Sequence, residues 1–365
     1  MANLDTKSRK LTPKRVRITD VADMAGVSRA TASKVLLETG GKNTRVGKAT
    51  AERVMRIATS LNYHPNVTAQ TLAGKRTRLI GAIIDAAASP SLVKVLEQIE
   101  RVVADNGYRL LVGYAHDNFE KIAEFAEDFH GRGVEGVICL AHTYPEFGHR
   151  VPGLFDRFPN RIFIHPPEVE GVVSYASVDF RAVGRVATNH LLNLGRRRIV
   201  MLGTHNRYTN TLNQMAGFVD AYEAMGLKAQ PWQTWQGPKL ILDRPREVKQ
   251  AVDEILKLKP DAIIPANDIT SLWFMGELRR RGVRIPDDIA LVSAQRQPIG
   301  WAPDIRITAV DQKDLTVARK AVSRLLSDIR LPIDQPRSIQ AIVLPPRLFI
   351  GDSCGGRTTP LDQKD

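Results

Sequence analysis

The sequence predicts a small all-α head, a short linker, and an α/β core of two doubly wound lobes. Three observations carry this. A chain of 365 residues exceeds what one hydrophobic core usually organises, so several packed units are expected. Basic charge crowds the front: residues 1–78 hold 16 Lys or Arg against 5 Asp or Glu, while the remainder holds 36 against 34. From Leu79 onward, short apolar runs alternate with helical patterns, the signature of parallel sheets covered by helices.

Residues 1–15 are polar, basic and without periodicity, and read as a flexible arm. The head spans 16–64. Val21, Ala22 and Ala25, then Ala32, Val35 and Leu36, recur at helical spacing on either side of Gly26-Val27, which predicts two short helices joined by a tight turn. Each position has a steric reason. Ala22 is small where the second helix approaches, Gly26 can adopt positive φ, Val27 fills the angle between the helices, and Ser28 can cap the second helix. An ordinary helical hairpin would satisfy the same spacing, but the confined basic bias favours a polyanion partner. A third helix is marked by Val54, Ile57, Ala58 and Leu61, and Pro65 follows its end. Residues 65–78 read as a hinge helix and linker, because the segment from Asn66 to Gly74 is too short to be a stable helix alone.

The core is expected over 79–352, and 353–365 as a polar tail. Strands are read at LIGAII, RLLVGY, GVEGVICL and RIFIHP, then at RRIVMLG, DAIIPA, IALVSA and TAVDQ, with a last run from Ile339 to Phe349. Helices are read through Val95–Ala104, Met215–Met225, Arg246–Leu258, Leu272–Arg281 and Leu315–Ile329. On pattern alone the pieces from Ile307 onward could complete either sheet.

Composition narrows the function classes. Two cysteines make no disulfide framework, so a reducing compartment is expected. The N-terminus lacks an apolar signal core and no 18-residue apolar stretch follows, so a cytoplasmic location without membrane spanning is expected. No Walker loop, GxSxG, HExxH or GxGxxG after a first strand is present, and the eight histidines, His116, His142, His165 and His205 among them, lack metal-ligand spacing and read as loop or surface residues. No catalytic group, cofactor or metal is therefore expected.

The run DVADMAGVSRATASKVL closely resembles the opening motif, DVAxxAGVSxxTVSxVL, of the lactose-repressor (LacI/GalR) family of bacterial transcription regulators. The resemblance continues through RVGKATAERVMRIATSLNYHPNVTAQTLAGKRTRLIGAII and, in the core, through GVEGVICL, VDFRAVG, AGF, AND, IPDDIALV and ITAVDQ. It implies a helix-turn-helix head on a periplasmic-binding-protein-like core, with an N-lobe of about 79–176 plus 309–334, a C-lobe of about 177–308 plus 335–352, and chain crossings near Ala176, Thr308 and Asp334. It also implies a regulator, in most of the family a repressor, that binds a pseudo-palindromic operator as a homodimer under allosteric control by a small molecule. The helix after Ser28 would enter the major groove. Arg29 and Lys34 would there donate to guanine, and Ala30 would offer a methyl to thymine. Thr19, Ser28, Thr31, Ser33, Thr50, Tyr63 and Asn66 would contact phosphates. Ala69 and Leu72 would lie in the minor groove, Leu72 as a wedge between base pairs, unless it simply packs on the core. Two departures are visible: Ala32 stands where the family has Val, and the loop around Gly40-Gly41 is longer than the family's shortest.

For the effector cleft the resemblance implies Ser89, Asp179, Gln214, Trp235, Asn267, Gln295 and Arg296. Asp179 and Asn267 match the family. Gln214 stands in place of its usual Arg, and Gln295-Arg296 in place of its usual Asp pair. Three accounts stay open: an uncharged effector met by Gln214, Gln295 and a Trp235 face, an anion met by Arg296, or a cleft without a ligand. An enzyme or a free solute-binding protein with the same cleft is the rival class, although neither would need residues 16–78. The tail after Phe349 lacks the Leu heptads of a tetramer bundle.

Overall fold

The computed structural model describes residues 16–37, 46–64, 76–85, 90–116, 118–142, 146–169, 171–203, 209–236, 245–297, 306–332 and 334–357. The chain divides into two compact units, 1–77 and 78–365.

In the head, α1 (Ile18–Ala25), α2 (Arg29–Leu37) and α3 (Lys48–Ser60) enclose Val21, Ala22, Ala25, Ala32, Val54 and Ala58. Asp20 begins α1 by accepting the Arg17 backbone N–H at 2.7 Å. Gly26 ends it at φ +59, and the Val27 N–H returns to the Ala22 carbonyl at 3.0 Å, so the turn uses the left-handed backbone that glycine takes without strain.

The core contains two six-stranded sheets. The first has the order β11-β5-β4-β3-β1-β2, from β1 (Leu79–Ile84), β2 (Arg109–Tyr114), β3 (Gly136–Cys139), β4 (Arg161–Ile164), β5 (Ser174–Val178) and β11 (Ala341–Leu344), all parallel. The second has the order β12-β10-β9-β8-β6-β7, from β6 (Ile199–Gly203), β7 (Thr234–Gln236), β8 (Ala262–Ile264), β9 (Ala290–Ser293), β10 (Thr308–Asp311) and β12 (Arg347–Phe349). There only β12 runs antiparallel, against β10. Strands buried on both faces read as continuous apolar runs, as LIGAII and IVMLG do. Helices α4 (Pro90–Asp105) and α10 (Asp314–Arg330) pack on one face of the first sheet, and α5 (Phe119–Gly131) on the other. On the second sheet, α6 (Phe180–Asn193) and α7 (Thr209–Ala224) cover one face, and α8 (Pro245–Lys257) and α9 (Asp268–Arg280) the other.

The lobe boundaries differ from the sequence expectation. The chain crosses after Val178, between Asp311 and Asp314, and at Pro345-Pro346, not near Ala176, Thr308 and Asp334. Thus 309–311 pairs within the C-lobe, while the strand at 341–344 belongs to the N-lobe. Ile339 to Phe349 is therefore two strands in two sheets, because consecutive prolines have no N–H to continue a ladder. The predicted polar tail is also shorter. Ser353 and Cys354 are buried, and the Ser353 hydroxyl donates to Leu291 O at 2.7 Å while accepting the Thr308 N–H at 2.9 Å, so the C-lobe runs past 352. Strands β5 and β7 and helix α6 are elements that the sequence reading leaves out.

Helices α6 and α7 touch backbone to backbone. A Cβ on Gly184 would fall 1.9 Å from the Gln214 carbonyl oxygen, and one on Gly217 1.8 Å from that of Arg181. Neither obstacle is a side chain that can swing away. Gly217→Ala is therefore expected to destabilise the core by about 3 kcal/mol. Urea unfolding would show this as a lower midpoint at unchanged slope, and an unmoved midpoint would refute the close crossing.

Candidate functional site

In the head, the Ser28 hydroxyl accepts the Thr31 N–H at 3.1 Å and lies 2.9 Å from the Thr31 hydroxyl, which fixes the first turn of α2. Arg29 and Ala30 are exposed directly after this cap, and Lys34 follows on the next turn. The Lys34 Nζ is withdrawn from solvent and has no hydrogen-bond partner among the described residues, so swinging it onto a new acceptor breaks no existing bond. Thr19 is exposed, Ser33 and Thr50 are half-buried, and Tyr63 packs part of its ring on the head's core. Ser28 and Thr31 are each other's partners, so either would share its hydroxyl with a phosphate. Ala32 is fully buried, which places the departure from the family's Val inside the head's core. Asn66, Ala69 and Leu72, with Ser89 of the core, lie outside the described residues.

The core's polar residues gather where the parallel strands end, the general ligand position of open α/β sheets. Asp179 follows β5 and caps α6 by accepting the Ala182 N–H at 2.9 Å. Asn267 follows β8 and caps α9 through the Thr270 N–H at 2.9 Å. Both therefore hold helix starts with one oxygen and have acceptor capacity left. Gln214 is buried on α7. Trp235 is half-buried and packs against the cluster of Val248, Phe274 and Leu291. The Gln295 amide donates to Asp314 Oδ2 at 2.8 Å. The Arg296 guanidinium lies 4.4 Å above the Phe349 ring.

Several polar residues that the sequence reading passed over stand beside these. Asp268 is 1% exposed and accepts the Gln297 N–H at 2.6 Å, while its Oδ1 has no partner among the described residues. Burial pushes the Asp268 carboxyl up to about 6, against the pull of the Gln297 N–H, Ser293 and Arg296. Burial likewise pushes Asp314 up to about 6, with Gln295 pulling down and Asp311 pushing up. Their sequence signal was a carboxylate three or four residues past a strand end, in PANDI and DQKD.

His142 and His165 lie in loops, as expected, but are withdrawn from the surface. His142 is fully buried past β3, and its Nε2 lies 3.1 Å from the His165 carbonyl, which can only accept, so Nε2 carries the proton. His165 sits at φ +76 after β4 with its Nδ1 3.3 Å from the Ser177 hydroxyl. Burial pushes His142 down to about 3, helped by the neighbouring His165, and pushes His165 down to about 4. Both rings are neutral at pH 7. Cys139, buried and pushed up to about 12, is a thiol rather than a reactive thiolate.

A small helical head with an exposed basic second helix, ahead of two hinged α/β lobes with polar strand ends, defines the class of ligand-responsive DNA-binding regulators. Residues 17–66 match the lacI family of bacterial regulatory proteins, and residues 188–354 match the periplasmic binding protein-like domain. The chain thus carries a lacI-family head and a periplasmic-binding-protein-like core. The HTH-type transcriptional repressor PurR of Haemophilus influenzae (strain PittEE) is 26% identical over 341 residues, covering 92% of this chain and 98% of the relative. PurR of Histophilus somni (strain 129Pt) is 24% identical over 339 residues, covering 92% and 98%. Among solved structures, a lac repressor dimer bound to operator and the anti-inducer ONPF is similar at TM-score 0.80 and 22% identity, covering 93% of this chain and 99% of that one. A transcriptional regulator CelR–cellobiose complex is similar at TM-score 0.67 and 22% identity, covering 93% and 100%. Among the described residues, no helix is long and apolar enough to cross a membrane, and no group of His, Cys, Asp and Glu could hold a metal.

The buried histidines make the core acid-sensitive. Their folded pKa values lie below the unfolded value of about 6.5, so the unfolded chain binds more protons and stability is lost as pH falls from about 6.5 toward 4. Asp268 and Asp314, shifted the other way, oppose this between about 4 and 6, so the test is a difference. His142→Gln keeps a donor toward His165 O but cannot be protonated. Its melting temperature is expected to fall less than the wild type's between pH 7 and about 4.5, each unit of depressed pKa being worth about 1.4 kcal/mol. Parallel melting curves would refute the assignment.

Proposed function

We propose that the chain represses transcription by binding a pseudo-palindromic operator as a homodimer, with α2 in the major groove. The observation that supports this best is the Ser28 cap, which leaves Arg29 and Ala30 exposed at the start of a helix whose other side is committed to the head's core, with half-buried Lys34 on the next turn. Arg29 and Lys34 read guanine and Ala30 meets thymine, while Leu72 wedges into the minor groove at the operator centre. One such head buries too little DNA for tight specific binding, which favours paired heads.

Arg29→Ala is expected to weaken binding to an operator recovered by in vitro selection by about 1–3 kcal/mol and to relax preference at one guanine per half-site. Leu72→Ala should leave single half-site binding alone and weaken binding to the joined site. Fluorescence anisotropy at fixed salt measures both. Unchanged affinity in either variant would overturn its assigned role.

The cleft's effector, on this reading, is an uncharged polar molecule. Gln214 and Gln295 replace residues that carry charge in the family, and the Arg296 guanidinium is stacked on Phe349 and faces Asp268, so it is not free for an anion. The CelR structure, which holds cellobiose, fits that class. Calorimetry with neutral disaccharides, sugar acids and nucleobases is expected to give heat with a neutral member. Heat from sugar acids alone would favour the anion, and none from any of them would favour a cleft without a ligand.

A further inference from the structure

At the middle crossover the two lobes are joined by more than backbone. The Gln297 N–H donates to Asp268 Oδ2 at 2.6 Å, the Gln297 side-chain amide donates to Gln295 Oε1 at 3.3 Å, and the Gln295 amide donates to Asp314 Oδ2 at 2.8 Å. Asp268 starts α9 of the C-lobe and Asp314 starts α10 of the N-lobe. The chain carboxyl–amide–amide–carboxyl thus runs from one lobe to the other beside the hinge. Backbone on both sides holds it in place. The Gln312 amide donates to Ala294 O at 2.9 Å, the Arg296 N–H to Val310 O at 2.9 Å, and the Lys313 N–H to Asp311 Oδ1 at 2.7 Å. Lys313 itself sits at φ +55, a backbone region that a non-glycine residue enters at a cost.

We propose that Gln295 and Gln297 are positioning residues that tie Asp268 to Asp314 and so form an interlobe latch, which sets the angle between the lobes before any effector binds. The Gln295 side-chain amide passes a hydrogen bond along because its oxygen accepts from Gln297 and its nitrogen donates to Asp314, while Gln297 reaches Asp268 through its backbone N–H, and a bond ending on a charged carboxylate is about twice as strong as a neutral one. The latch is therefore tightest when Asp314 is ionised. Asp311 opposes that ionisation and Gln295 favours it; at the other end, Asp268 faces the Gln297 N–H, Ser293 and Arg296. Because burial brings Asp314 to about 6, mild acid neutralises it and takes away the charge that holds Gln295. On this account Gln295 is a strut of the hinge as well as a cleft residue, and replacing it changes the lobe angle even when no effector is present.

The test uses the full chain and needs neither operator nor effector. Lys121→Cys on α5 and Arg280→Cys on α9 place spin labels on exposed positions of the two lobes, with side chains 50% and 69% accessible, while native Cys139 and Cys354 are buried. Dilution with excess unlabelled chain isolates the distance within one copy, read by pulsed electron resonance. The wild type is expected to give one narrow distance distribution at pH about 7.5 that broadens at about pH 5. Gln295→Leu should be broad at both. Asp314→Asn, which still accepts from Gln295 but cannot ionise, should respond to pH less than half as much as the wild type. A narrow wild-type-like distribution in Gln295→Leu, or a full wild-type pH response in Asp314→Asn, would overturn the latch. Circular dichroism of each variant checks that the lobes are folded.

Discussion

Leu344 closes a parallel ladder with Val178, and five residues later Phe349 closes an antiparallel one with Ala309 in the other sheet. Between them stand Pro345 and Pro346, which cannot donate to either ladder. This crossing, with those after Val178 and after Asp311, leaves two rigid sheets connected only at one seam. A six-stranded sheet buried under helices on both faces resists bending, so relative motion is concentrated where the chain passes between sheets. The polar residues lie along the same seam: Asp179 at the first crossing, the Gln295–Asp314 pair at the second, and Arg296 on Phe349 at the third. A ligand bound among them would touch both sides of the hinge, the requirement for shifting a two-state equilibrium by differential contact.

The close approach of α6 and α7 has the opposite role. Gly184 and Gly217 bring two backbones together inside the C-lobe, and the Arg181–Asp220 pair, bidentate at 2.6 and 2.7 Å, lies across the same two helices. That ion pair is largely exposed and adds little on its own. What the glycines provide is stiffness: α6 starts at Asp179, on the seam, and α7 carries Gln214. A lobe that flexed internally would absorb an effector's contacts instead of passing them to the hinge.

The head was legible in sequence because its constraints are local. Gly26 needs a left-handed backbone, Ser28 has its partner three residues on, and Val21, Ala22 and Ala25 recur at helical spacing within a single short helix. The strand–helix alternation of the core was legible for the same reason, since apolar runs such as IVMLG declare themselves. The seam was not. Gln295 finds Asp314 nineteen residues away, Ser353 finds Leu291 sixty-two away, and His142 finds His165 twenty-three away. No periodicity encodes such pairs. Asp179 and Asn267 were singled out for ligand binding, yet each also serves as a helix cap, a duty that a local reading assigns equally well. Strands of three or four residues, such as β7 and β12, are too short for a period to register.

The attachment of the head decides which lobe can speak to it. The linker enters the core at Arg78, whose N–H donates to Glu135 Oε1 at 2.8 Å and whose carbonyl accepts from the Arg109 N–H at 2.9 Å. Arg78 is thereby tied to the starts of β2 and β3 before β1 begins, so the core's first residue is fixed to the N-lobe sheet. The C-lobe has no covalent route to the head except through the three crossings. An effector that only filled the C-lobe would therefore leave the linker where it was. In the homodimer proposed above, an effector that changes the spacing of two heads has to act on the N-lobes, and the proposed latch of Gln295 on Asp314 lies on the only covalent side of the C-lobe from which it can do so.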